Sequence, residues 1–181
     1  MPVQLGGQTQ ADFTEPIQLL MDCHRRIEHF LGILQKVVDR FSQGELNDEA
    51  RRALAAALNY FAHAAPNHTA DEEESLFPRL RQTHEPALAP VVEQAAALER
   101  DHRHAETIHA RIERIGRGWL SNGRLDAADL DRIREDLRLL SSLYAAHIAF
   151  EDERLFPAAS TALDQASLAE IGGEMAQRRG L

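Results

Sequence analysis

Cysteine is nearly absent from this chain, with Cys23 alone among 181 residues. One thiol excludes an intrachain disulfide framework and a thiolate metal cluster, so a bound metal has to be held by nitrogen and oxygen. Long apolar runs are missing too. No stretch approaches the roughly 18 apolar residues of a membrane-spanning helix. The opening MPVQLGGQTQADFTEP has neither a basic leader nor an apolar signal core. A cytoplasmic location and no membrane partner are therefore expected. Basic charge is the third shortage: 20 Lys and Arg face 29 Asp and Glu, a formal net charge of −9, with no large basic patch to offset it. Such a surface repels phosphate backbones, so no nucleic-acid partner is expected. Strand signals are essentially absent as well.

What remains is helical. The 44% hydrophobic content is enough for one domain with a substantial core. We expect a flexible tail over residues 1–12 and an all-α domain over 13–181. In the first helix Thr14 is the expected N-cap and Pro16 lies in the first turn, with the end at Gly44. Its seam of Ile17, Leu20, His24, Ile27, Leu31, Leu34, Val38 and Phe41 steps by three and four, the pattern of a bundle helix. A second helix starts near Asn47, should kink or restart at Pro66, and carries His68 and Glu72 to a Leu-Phe-Pro stop. The third follows the Pro86 to Pro90 punctuation with a seam that includes His102 and His109, and should fade at Gly116 and Gly118 before a turn at residues 121–123. The fourth runs through Leu137, Leu140, Tyr144, His147 and Glu151. A short helix should follow in SLAEIGGEMAQRR, although its paired glycines weaken it.

The halves repeat. HTADEEESLFP at residues 68–78 and HIAFEDERLFP at 147–157 share seven of eleven positions, and His24 and His102 precede them at a matching offset of 78 against 79 residues. A duplicated helical hairpin predicts an up-down four-helix bundle.

Residues four apart project to one side of a helix, so His68 with Glu72, and His147 with Glu151, can each reach one metal centre. A lone seam histidine is more often a hydrogen-bonded core residue. Four of them together with two buried glutamates would be costly without shared coordination. His24, His68, His102 and His147 could give two nitrogens to each of two metals, while Glu72 and Glu151 bridge. With one bridging solvent each metal has five ligands and an octahedral ion keeps one open position for dioxygen, nitric oxide or peroxide. Two iron ions fit that count best; manganese fits less well, and zinc, usually four-coordinate, less still.

The duplicated HxxxE…LFP, each preceded by a lone helical histidine, resembles the hemerythrin-like, or HHE cation-binding, family over nearly the whole chain. The resemblance implies a four-helix bundle with a non-haem di-iron centre and ligand roles for His24, His68, Glu72, His102, His147 and Glu151. Oxygen-carrying hemerythrins have HxxxH on the third helix, whereas here Glu106 follows His102, which counts against reversible oxygen carriage. The spacing of Glu151 is more similar to iron-centre repair proteins and other members linked to nitrosative or oxidative stress, yet the cysteine-bearing N-terminal domain of the repair proteins is lacking. A ligand-binding or sensing protein is the leading expectation. The alternatives are a peroxide-decomposing enzyme and an iron donor or repair protein, and room is left for an unidentified redox partner.

Around the site, Glu28 and Glu106 lie four residues after His24 and His102, and with Tyr144 they are the candidate proton relay. His109 is read as a core hydrogen-bonding residue, His63 is rejected as a ligand because it would have to reach Glu72 across the Pro66 break, and His29, His84 and His104 are placed on the surface. The acidic runs Glu73, Glu74 and Asp152, Glu153 are read as solvated faces.

Overall fold

The computed structural model describes residues 12–42, 44–83 and 86–181. The tail expected over residues 1–12 therefore lies, Asp12 apart, outside the described residues, as does His84. Among the described residues all regular structure is helical.

Helix α1 spans Pro16–Phe41. Thr14 does not cap it: the Asp12 carboxylate takes the Thr14 amide at 2.8 Å and its hydroxyl at 2.6 Å, and Glu15 occupies the cap position without a side-chain bond. Helix α2, Asp48–His63, is capped as its sequence demands, with the Asn47 side chain accepting from the Ala50 amide at 2.8 Å. Pro66 then forces the expected restart. It has no amide hydrogen to give, so α2 closes and α3, Ala65–Ala70, begins with the proline in its first turn, where no donor is needed.

The Leu-Phe-Pro triplets are not stops. In both halves the chain widens into a π-helical segment, Asp71–Leu76 and Glu151–Leu155, and continues as α4, Phe77–Gln82, and α7, Phe156–Ala162. The amides of Phe77 and Phe156 reach five residues back to the carbonyls of Glu72 and Glu151. That wider turn resets the register so that each proline again falls in the first turn of a new helix. Both π segments begin at, or one residue before, a site glutamate.

Helix α5, Ala89–Asn122, follows a 3-10 turn at Pro86–Leu88 and does not fade at Gly116 or Gly118. A Cβ at Gly116 would lie 2.8 Å from the Leu58 side chain, so this glycine serves the close approach of α2 to α5. Helix α6 is Ala127–Phe150, and the C-terminal helix α8 is Gln165–Arg178. A Cβ at Gly172 would stand 1.9 Å from the Phe13 carbonyl oxygen. The glycine that weakens α8 locally is what lets the segment before α1 lie across it.

α1 packs on α2 and α6, α5 packs on the same two, and α8 rests on α1 and the first π segment. Two apolar clusters result. One contains Ile27, Leu58, Ala105, Ile112, Leu140 and Ile148, and the other Leu20, Leu76, Leu98, Leu155, Phe156 and Met175. On α1 the step from Leu20 to Ile27 crosses His24, and on α5 the step from Leu98 to Ala105 crosses His102. A buried polar layer thus separates the two apolar clusters.

Candidate metal centre

His24, Glu72 and Glu151 are fully buried, and His68, His102 and His147 are at most 8% exposed. Their donor atoms form two overlapping sets, each within 4.8 Å: His24, His68, Glu72 and Glu151, and Glu72, His102, His147 and Glu151. The six come from α1, α3, α5, α6 and the two π segments, so no single element builds the site.

The geometry within the sets is close. Glu72 faces both, with Oε1 3.4 Å from His68 Nε2 and 3.9 Å from His24 Nε2, and Oε2 3.3 Å from His102 Nε2. Glu151 Oε2 lies 3.1 Å from His24 Nε2 and 3.2 Å from His147 Nε2, and the Nε2 atoms of His102 and His147 are 3.0 Å apart. Donors bound side by side to one first-row metal at about 2.1 Å stand about 3 Å from each other. Most of these spacings match that requirement. The His24 Nε2 atom and all four oxygens of Glu72 and Glu151 make no hydrogen bond within the protein. Buried polar atoms without partners are rare, and a shared cation is the occupant that would satisfy these together. The residues fit a metal.

Outside this ring, carboxylates hold the far nitrogens of three imidazoles. Asp152 lies 2.7 Å from His24 Nδ1, Glu73 lies 2.8 Å from His102 Nδ1, and Asp101 lies 3.5 Å from His147 Nδ1. Such contacts fix the ring orientation and leave Nε2 free to bind. The reading of Glu73 and Asp152 as solvated faces is corrected by these contacts. The signal was present in the repeat: each acid directly follows a site glutamate, and each serves the histidine of the opposite half.

Charge is finely divided in this layer. Burial alone would lower the His24 pKa, but the hydrogen bond to Asp152 and the nearby carboxylates of Glu151 and Glu72 lift it to about 9. His102 is lifted to about 9 against the same burial by Glu72 and Glu73. His68, without a carboxylate on its Nδ1, is driven well down by burial and the neighbouring His24 charge. The two carboxylates divide as well. Burial and the charge of Glu151 push Glu72 up, while the closeness of the His147 and His24 imidazoles overcomes burial and holds Glu151 down. A metal ion entering here displaces protons from imidazole.

A cavity of about 220 Å³ adjoins the ring. The four histidines border it, with Ile27, Phe61, Ala105 and Ile148 as apolar walls and Thr69, Arg103 and Glu106 among its further lining residues. Tyr144 and His109 line it as well, joined by a 2.8 Å hydrogen bond between the hydroxyl and Nε2. Burial pushes the Tyr144 phenol up and lowers His109 to about 4, so His109 is neutral near pH 7.

Of the three candidate relay residues, Tyr144 and Glu106 border the cavity. Glu28 does not: it is exposed and 3.6 Å from Arg25. Its helical phase explains this, since four residues beyond His24 the bundle seam has passed to Ile27 and Leu31. His63 is exposed and bonded to the Asn59 carbonyl, and His29 and His104 are exposed.

Sequence reasoning also missed the clamp on the first π segment. Asp71, the residue before Glu72, is fully buried and accepts from Arg178 at 2.9 Å and from Arg179 at 3.2 and 2.7 Å, while Arg178 also donates to Ser75 Oγ at 2.8 Å. The C-terminal helix thereby fixes the backbone that presents Glu72.

The arrangement has relatives. The family model for the hemerythrin HHE cation-binding domain matches residues 15–159. An uncharacterized protein of Haemophilus influenzae is 30% identical over 183 residues, covering 97% of this chain and 96% of that protein.

Proposed function

The chain belongs to the hemerythrin HHE cation-binding domain family, and from that premise we propose that it is a cytoplasmic, non-haem di-iron protein that binds or senses dioxygen, nitric oxide or peroxide under oxidative or nitrosative stress. The observation that carries this reading is the pair of four-donor sets sharing Glu72 and Glu151 beside a cavity of small-molecule size. A second metal position is supported by Glu72, whose Oε1 faces His24 and His68 while its Oε2 faces His102. The mixed imidazole and carboxylate set favours iron, then manganese, over zinc. An up-down four-helix bundle is the arrangement that fits α1 and α5 each packing on α2 and α6.

Bound iron would supply open coordination positions and electron exchange with the ligand. The protein supplies the rest. His24, His68, His102 and His147 would hold the metal together with Glu72 and Glu151, while Asp152, Glu73 and Asp101 lie against three of the rings and fix their orientation. Ile27, Phe61, Ala105 and Ile148 give the ligand cavity apolar walls beside the imidazoles.

A second reading, a peroxide-decomposing enzyme, is favoured by the Tyr144 and His109 pair, which places an exchangeable proton on the cavity wall. One experiment separates the two: reduce the iron-loaded protein, add dioxygen, nitric oxide or peroxide in turn, and follow the optical spectrum and peroxide concentration. A stable ligand-dependent band without turnover supports binding or sensing, and repeated peroxide consumption supports the enzyme. A spectrum indifferent to all three ligands refutes both.

A further inference from the structure

The two halves of the centre are not equivalent, and the difference traces to one position of the repeat. Glu73 and Asp152 occupy matching places 79 residues apart and do matching work, each holding the Nδ1 of the first histidine of the opposite half. The second histidines break the match. His147 has Asp101 at its Nδ1, but the residue 78 positions before Asp101 is Cys23, and His68 Nδ1 is buried with no hydrogen-bond partner among the described residues. Cys23 is itself engaged by Arg26, whose guanidinium lies 2.9 Å from the sulfur. The partner of His24 is also diluted, because Asp152 is shared with Arg25 in a close ion pair. Glu73 has no arginine or lysine partner among the described residues.

Resting on the di-metal reading above, we propose that the His102 and His147 side is the tight metal site and the His24 and His68 side the labile one, so that the centre fills and empties in a fixed order. A carboxylate on the far nitrogen of a ligating histidine raises its donor strength and holds its ring, and loss of such a partner typically costs about 10- to 100-fold in metal affinity. The tight side has two such partners, Glu73 at 2.8 Å and the more distant Asp101 at 3.5 Å, and among the described residues no arginine competes for either. The labile side has one, and an arginine competes for it. Removal of the labile ion leaves Glu72 and Glu151 still held by the other, so a one-metal form is a defined state of the protein and not a damaged one. Loss or gain of the second ion then becomes a means of switching the centre with metal supply.

The test uses zinc, which is redox-silent, on the metal-free full chain with imidazole nitrogens labelled with nitrogen-15. At up to one equivalent the ring signals of His102 and His147 are expected to shift first, and those of His24 and His68 only as the second equivalent enters, at roughly 10- to 100-fold higher free zinc. Asp101→Asn and Glu73→Gln, both at partly exposed positions, should narrow the gap between the steps by weakening the first. Cys23→Asp, where it folds, should narrow it by strengthening the second. All four rings moving together, His24 and His68 moving first, or Glu73→Gln and Asp101→Asn leaving the order and spacing unchanged would overturn the inference. Failure of all four rings to respond to zinc and to ferrous iron would instead remove the metal centre itself, a separate and recognisable result.

Discussion

Arg179→Ala strikes at the clamp behind Glu72. The substitution strips two of the three arginine bonds from Asp71, a carboxylate with no solvent exposure. Breaking a buried ion pair outright costs about 3–5 kcal/mol, but Arg178 remains on Asp71 Oδ1, so we expect a loss of about 2–3 kcal/mol in the metal-free protein. At about 2–4 °C per kcal/mol for a chain of this size, the thermal midpoint should fall by about 4–12 °C. Asp71→Ala is expected to cost less, because Arg178 and Arg179 keep side-chain exposures of 18% and 23% and turn to water once freed. The double variant should be more stable than the sum of the two losses predicts, by at least about 1 kcal/mol, since each single change already removes the interaction. The cycle is read by urea unfolding followed by circular dichroism, with zinc affinity as a second readout because Asp71 adjoins Glu72. Additive losses within about 0.5 kcal/mol, or an unperturbed Arg179→Ala, would refute the clamp.

Glu72→Gln should abolish paired metal binding by elemental analysis while leaving the metal-free midpoint in urea unchanged or higher, because it relieves two buried carboxylates of each other. His109 is expected to give the metal-free protein an acid-labile component. Its folded pKa of about 4 lies below the unfolded value near 6.5, so its contribution is complete above pH 6.5 and is lost as the pH falls through about 4, for a total of about 3 kcal/mol. His109→Gln should flatten the stability profile between pH 7 and 4 relative to wild type, and identical slopes would contradict this. Gly172→Ala should destabilise by about 1–3 kcal/mol in thermal unfolding because its Cβ meets the Phe13 backbone, whereas Gly173→Ala, with open space around it, should be neutral or stabilising by up to about 1 kcal/mol.

The parts of this architecture that repeat were the parts legible in the amino-acid order. His24, His102 and His147 stand on apolar seams of long helices, where a seam residue faces the core whatever its polarity, and the repeat places His68 with them, so their convergence could be anticipated. Asn47, through its side-chain oxygen on the Ala50 amide three residues on, and Pro66, through its missing amide hydrogen, act locally and behaved accordingly. The π segments were illegible because periodicity at 3.6 residues per turn carries no sign of one extra residue, and Phe-Pro read as a stop only while the turn before it was taken to be α-helical. Thr14 failed as a cap for a reason two residues away, the competing carboxylate of Asp12. The outer carboxylates Glu73, Asp152 and Asp101 depend on contacts between helices distant in sequence, as does the grip of Arg178 and Arg179 on Asp71. Local pattern reports none of these, although the matched positions of Glu73 and Asp152 held a usable hint.

The most direct measurement is an anomalous difference map recorded at the iron edge from crystals of the iron-loaded protein. Two peaks are expected in the buried polar layer, one beside His24 and His68 and the other beside His102 and His147, with Glu72 and Glu151 between them. No peak in that layer, or iron bound only at surface carboxylates, would contradict a di-iron centre held by these six side chains.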